Sequence, residues 1–127
     1  MDETRFNKGL ETRKAVLSPA HVERTFADMD EFSRPLQYLI TEFCWGAGWA
    51  DDALDRASRS ILTLGILATL GRFGEFETHV RAGMRNGLTP AQLQALVTHI
   101  AIYCGMPVAV ECARSIQKIL KQTPGQA

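Results

Sequence analysis

In the run GRFGEFETHVRAG, residues 71–83, Glu75 lies one helical turn before His79, and Arg72 one turn before Glu75. At i, i+3 and i, i+4 on a helix these side chains are neighbours, so a cation, a carboxylate and an imidazole form one polar stripe. Imidazole exchanges protons near neutral pH, and a carboxylate beside it favours the charged ring. The chemistry on offer is general acid–base catalysis. Spacing alone favours an ordinary exposed pair over a site, and both readings stand at this point. Arg81, two residues past His79, projects nearly the opposite way and cannot act with it on one helix; it would serve a neighbouring subunit or a surface ion pair.

A second pair, His99 and Tyr103 in THIAIYCGMP, repeats the i, i+4 spacing at the end of an apolar helix, just before Gly105-Met106-Pro107. A single histidine there fits a core residue with a satisfied hydrogen bond. Two such pairs near helix ends point towards a pocket. A metal held by Glu75, His79 and His99 is disfavoured, because helical spacing supplies two ligands and places no third.

Helices must carry these residues, and the punctuation of the chain predicts an all-α fold without repeats or low-complexity segments. A first amphipathic stretch covers Asp2 to Lys14, and Ser18-Pro19 opens a helix to about Met29. Residues 31–45 repeat apolar side chains at helical spacing before Gly46 and Gly48, and WGAGWADDALD is read as a loop holding both tryptophans. Ala57 to Leu70 is apolar almost all round, as expected of a helix buried on several sides or against another subunit. Gly71 ends it. The next helix, about Arg72 to Arg85, turns Phe73, Phe76, Val80 and Met84 to one face and stops at Asn86-Gly87. Thr89-Pro90-Ala91-Gln92 has capping-box spacing and opens helix 90–104; a last helix runs to about Lys121, and the tail QTPGQA is expected to fray.

Composition narrows the function. The 127 residues, 46% of them hydrophobic, suffice for one domain, read as residues 1–127 with a core of about 8–120. Lys plus Arg and Asp plus Glu each total 14, and the basic residues are scattered singly, so neither nucleic acid nor a membrane is an expected partner. The polar, acidic start lacks the pattern of a signal peptide, and Ile61 to Leu70 is too short to span a bilayer. Three cysteines without a C-x-x-C pair fit reduced thiols in a cytoplasm.

RASRSILTLGILATLGR, GEFETHVRAGMRNGLTPAQL and THIAIYCGMPVAVECAR resemble the successive signatures of the carboxymuconolactone decarboxylase family. HVERTFADMDEF, FCWGAGW and GLETRKAVLS extend the similarity over about residues 8–120. The match includes Arg56, Arg59 and Ser60 in an R-x-x-R-S-L-like entry, with Ile61 for leucine, and Glu75, His79 and Arg81 in E-x-x-x-H-x-R. It continues through Asn86, Gly87 and Thr89 in N-G-x-T and Tyr103 to Pro107 in Y-C-G-x-P. Order and spacing together make it specific.

The resemblance implies a helical fold of six to seven helices, like that of the alkylhydroperoxidase-D proteins, assembled as a homo-trimer or homo-hexamer with active sites near subunit contacts. Redox-active relatives carry C-x-x-C-x-x-x-H; here Arg72 and Glu75 occupy the thiol positions while His79 remains. The two-cysteine peroxidase route, which needs a thiolate and a resolving thiol, is excluded at that site. The implied reaction is cofactor-free loss of CO₂ from 4-carboxymuconolactone, giving 3-oxoadipate enol-lactone in the β-ketoadipate pathway of aromatic-acid breakdown. His79 would donate the proton, Glu75 would orient it, Arg59 or Arg72 would hold a carboxylate, and His99 or Tyr103 would face the lactone oxygen. Arg81 belongs to the same substrate-binding set. One departure is Asp51-Asp52-Ala53-Leu54, where the family has an Arg-Pro-Gly-Leu-like run. Acids in place of that cation fit a paralogue acting on another lactone or carboxylic acid. An alkylhydroperoxidase-D-like protein using Cys104 or Cys112, or a non-catalytic oligomer, are the remaining alternatives.

Overall fold

The computed structural model describes residues 1–122; of the tail 122–127 expected to fray, Gln122 is placed and bonded by Arg81, and 123–127 fall outside the described residues. Among them there are seven α-helices, one extended by a π-helical stretch, and no strand. No described helix is long and apolar enough to cross a membrane. Contacts divide the chain into two compact units, residues 1–56 and residues from 57 onwards.

The first unit contains α1 (Glu3–Leu17), α2 (Pro19–Ala27) and α3 (Arg34–Leu39), the last running directly into the π-helix Ile40–Trp49. Ser18 divides α1 from α2. It takes the positive φ of 89° that ends α1, and its side chain accepts from the His21 N–H to open α2, with Pro19 at the first position. Asp30 and Ser33 bond reciprocally, the Ser33 N–H to the Asp30 carboxylate at 2.9 Å and the Asp30 N–H to Ser33 Oγ at 3.1 Å. That turn delays α3 to Arg34 instead of the expected 31.

The larger correction concerns WGAGW, which is helical and not a loop. Backbone bonding of the i→i+5 kind carries the chain through both tryptophans, the Ala50 N–H reaching the Trp45 carbonyl at 3.0 Å. The irregular turn is confined to residues 50–55. Gly46 is a contact point here: a Cβ on it would fall onto the Arg5 carbonyl, and a Cβ on Gly9 onto the Thr41 carbonyl. Their missing side chains let α1 and the π-helix approach backbone to backbone. Across this seam Arg5 bonds the buried Glu42 at 2.7 Å, and Arg13 donates to Thr41 at 3.0 Å and Gln37 at 2.9 Å.

The second unit is made of α4 (Arg56–Leu70), α5 (Phe73–Arg85), α6 (Pro90–Cys104) and α7 (Met106–Leu120). Its core gathers Leu64, Phe76, Val80, Leu93, Ile100, Cys112 and Ile116, with Phe73 and Met84 packed at the margin. The apolar face expected of α5 is therefore the one it buries. Gly71, Gly87 and Gly105 all take positive φ at the three joints, where L-residues would be strained. Thr89 and Gln92 form both halves of the capping box that opens α6. Helix α4 buries Ser60, Leu64 and Ala68 but leaves Ile61, Leu62, Ile66 and Leu70 exposed, so the chain itself covers one face of it.

Candidate active site

The N-terminus of α5 holds the first candidate group. Arg72, the residue before the helix, sends Nη2 to Glu75 Oε1 at 3.2 Å, so the two positions at thiol spacing are joined by an ion pair. Glu75 sits in the first turn, where backbone N–H groups have no helical acceptor. Its carboxyl is held below the usual range, first by its own backbone N–H, then by the Arg72 hydrogen bond and charge, and last by the charge of His79. It is thus an ionised carboxylate at neutral pH, within electrostatic reach of the imidazole. His79 follows one turn later, half-buried, with its Nδ1 atom wholly buried. Glu75 thus stands in solvent one turn before an imidazole that is turned partly inward.

Arg59 lies on α4 and is half-buried, with its Nε atom buried. Next to it, Ser60 is fully buried, and its hydroxyl accepts from Asn86 Nδ2 at 2.9 Å. Arg81 turns to the other side of α5, where Nε and Nη2 both donate to Gln122 Oε1 at 3.3 Å. On α6, His99 and Tyr103 meet with ring centroids 4.7 Å apart and planes inclined at 36°. They border a groove of about 470 Å³ between α4 and α6, lined mostly by aliphatic residues such as Ile61, Leu62 and Ile66, with Thr69 and Cys104. No residue of α5 lines that groove, so the two i, i+4 pairs occupy different places on the unit.

At the floor of the groove, the Thr69 hydroxyl gives its proton to the Gly65 carbonyl at 2.8 Å. The Cys104 thiol, 3.4 Å away, is therefore the donor to Thr69 Oγ1. Cys112 is buried with its pKa pushed up to about 11, chiefly by burial, which disfavours the thiolate. Among the described residues no three His, Cys, Asp or Glu side chains gather around one point as metal ligands would.

The chain as a whole is similar to known proteins. The sequence pattern of the Carboxymuconolactone decarboxylase family matches residues 34–118, about two thirds of the chain. The chain belongs to the carboxymuconolactone decarboxylase family. A 4-carboxymuconolactone decarboxylase of Acinetobacter baylyi is 35% identical over 120 residues, covering 94% of this chain and 90% of that protein. Nitrosuccinic acid decarboxylase npaB of Metarhizium robertsii is 38% identical over 115 residues, 91% of this chain and 80% of that protein. Both relatives are carboxy-lyases, and the protein is an enzyme of that class.

Two partners in the candidate site are not announced by the sequence. Ser60 and Asn86 were each visible inside a motif, but their hydrogen bond spans 26 positions and no local spacing announces it. The Gln122 acceptor for Arg81 lies 41 positions away, in what read as a polar tail.

Proposed function

We propose that the protein is a cofactor-free decarboxylase of a small carboxylated substrate, with His79 as proton donor and 4-carboxymuconolactone as the first substrate to test. The observation that carries this reading is the stripe at the start of α5: a carboxylate kept ionised at Glu75, in electrostatic contact with a half-buried imidazole. Loss of CO₂ breaks a carbon–carbon bond and leaves its electron pair on the substrate. In a carboxymuconolactone the pair runs through the conjugated alkene onto the lactone oxygen. His79, protonated, then delivers a proton to the ring carbon next to the carbonyl, forming the C–H bond as the enolate collapses. Glu75 orients the ring, Arg59 or Arg72 anchors a carboxylate, and His99 or Tyr103, which within one chain lies away from the α5 stripe, faces the developing oxyanion from a neighbouring copy.

A second substrate reading rests on the 38% identity to an enzyme named for nitrosuccinic acid. A nitro group beside the departing carboxylate accepts the electron pair as a nitronate, so the same proton donor serves both reactions and the sink belongs to the substrate. The turn at 51–54 favours keeping this reading: Asp51 accepts from the Ala53 N–H at 3.0 Å, so the acid here has a turn-forming role and offers no cation to a carboxylate.

The same proposal includes self-association as a trimer or hexamer. Leu62 and Ile66 on α4 are 55% and 49% exposed, and Tyr103 across the groove is 77% exposed, an uncharged strip that a second copy would cover. Assays of CO₂ release from freshly made 4-carboxymuconolactone and from nitrosuccinic acid test the catalytic reading. Turnover of one of them is expected, with a loss of about 10²-fold or more in His79→Gln, the scale of a general acid. A folded, assembled His79→Gln variant with full turnover would sink the assignment.

A further inference from the structure

We infer that Ser60 and Asn86 form a positioning brace that holds His79 in register with Arg59, an inference that rests on the catalytic reading of those two residues. His79 and Gly83 of α5 and Asn86, its C-cap, follow at i, i+4 and i+7 along one side. Ser60 of α4 meets two of these three. Its Oγ accepts from Asn86 Nδ2 at 2.9 Å, and a Cβ built on Gly83 would lie 3.5 Å from the Ser60 Cβ, so the α5 backbone rests on this serine. Gly83 is buried and Ser60 fully so, which shields the serine end of the contact, while Asn86 is half-buried.

The consequence follows from helix geometry. A helix can slide along its neighbour or roll about its axis, and a step of one residue turns every side chain by about 100°. Apolar packing of Phe76 and Val80 resists both motions without choosing a unique register. A directional hydrogen bond at one end of the face does choose. Arg59 directly precedes Ser60 on α4, and His79 stands two turns before Asn86 on the same side of α5. The bond therefore ties the carboxylate anchor and the proton donor to one reference point, while Ser60 and Asn86 themselves need not touch substrate. Displacements of an ångström between such groups are costly to catalysis.

Ser60→Ala removes the acceptor with little change in volume, and Asn86→Ala removes the donor together with the rest of its amide. The brace predicts that kcat on whichever acid is turned over falls about tenfold in each, with KM held within about twofold. The double variant should be no slower than the worse single, because both delete the same bond. Asn86→Asp should recover most of the loss, since the Ser60 hydroxyl can reverse and donate to the carboxylate. A second readout does not depend on turnover: in histidine-selective ¹H–¹⁵N spectra the His79 ring resonances should move in both single variants and return in Asn86→Asp. Unmoved His79 resonances, additive losses in the double variant, or an Asn86→Asp variant as slow as Asn86→Ala would each overturn the brace. If neither acid is turned over by the unmodified protein, or His79→Gln keeps its rate, the catalytic reading fails, and the ring resonances still decide the brace.

Discussion

The Cys112 thiol sits with Leu64 and Ile116 in the core of the second unit, and the cost of a charge there raises its pKa to about 11, with Cys104 and Glu111 adding repulsion. An unfolded thiol titrates near 8.5. Between about pH 8.5 and 11 the unfolded chain releases a proton that the folded chain keeps, so stability is full below this window and declines across it. Urea midpoints measured from pH 8 to 10.5 should fall for the native sequence, and the slope should flatten in Cys112→Ala even though that variant starts lower. Equal slopes would show that the thiol is not shielded. Glu75 lies at the opposite extreme, exposed to solvent and held ionised by a backbone N–H and Arg72. The contrast explains why the Glu75 stripe suits proton transfer and Cys112 does not: a reactive group needs access and a stabilised charged form.

At the scale of elements, glycine has two unrelated jobs, and they determine which parts of the fold were legible. Gly71, Gly87 and Gly105 end helices through positive φ, a local property of the chain, and the helices they bound were readable from spacing and caps. The Thr89–Gln92 box and the Ser18-Pro19 start were readable for the same reason. Gly9 and Gly46 instead admit a neighbouring backbone, a property of a partner more than thirty positions away, so Gly46 was taken for a helix breaker and WGAGW for a loop. The site divides along the same line. Arg72, Glu75 and His79 were legible because one helix places them, whereas Ser60–Asn86 and Arg81–Gln122 depend on how helices pack. Gly9→Ala checks this account: its methyl would collide with the fixed Thr41 carbonyl, and α1 would have to move off the π-helix. A loss of about 3 kcal/mol or more is expected, at the upper end of overpacking costs. Gly83→Ala would crowd the Leu88 side-chain tip at 2.9 Å, which can swing aside, and touch Ser60 at an ordinary 3.5 Å, so it should cost less. Chemical denaturation of the two variants side by side would expose an error if their order were reversed.

For the whole molecule, the proposed self-association turns on why α4 is apolar nearly all round. One face holds Leu64 and Ala68 in the core, and the chain leaves Ile61, Leu62, Ile66 and Leu70 exposed along the groove shared with Tyr103 of α6. Contiguous apolar surface of this kind is costly in water and marks an interaction site more often than chance exposure. The groove between these helices contains no Lys, Arg, Asp or Glu in its lining, so an uncharged partner surface fits it and a charged one would lose hydration without compensation. Gly65 also lines it, with nothing within 4 Å of a Cβ built there, so a partner helix can approach the α4 backbone closely. A single charge in this strip should therefore break assembly without unfolding the subunit, because it is solvated in the monomer and stranded in the oligomer. Ile66→Asp should shift the mass measured by sedimentation or light scattering from a trimer or hexamer to about one subunit, with helical circular dichroism retained. Leu64→Asp, aimed at the core side of the same helix, should instead unfold the second unit. If Ile66→Asp left the assembly intact, the strip would not be the contact between copies, and the exposed His99–Tyr103 pair would have to be explained without a partner.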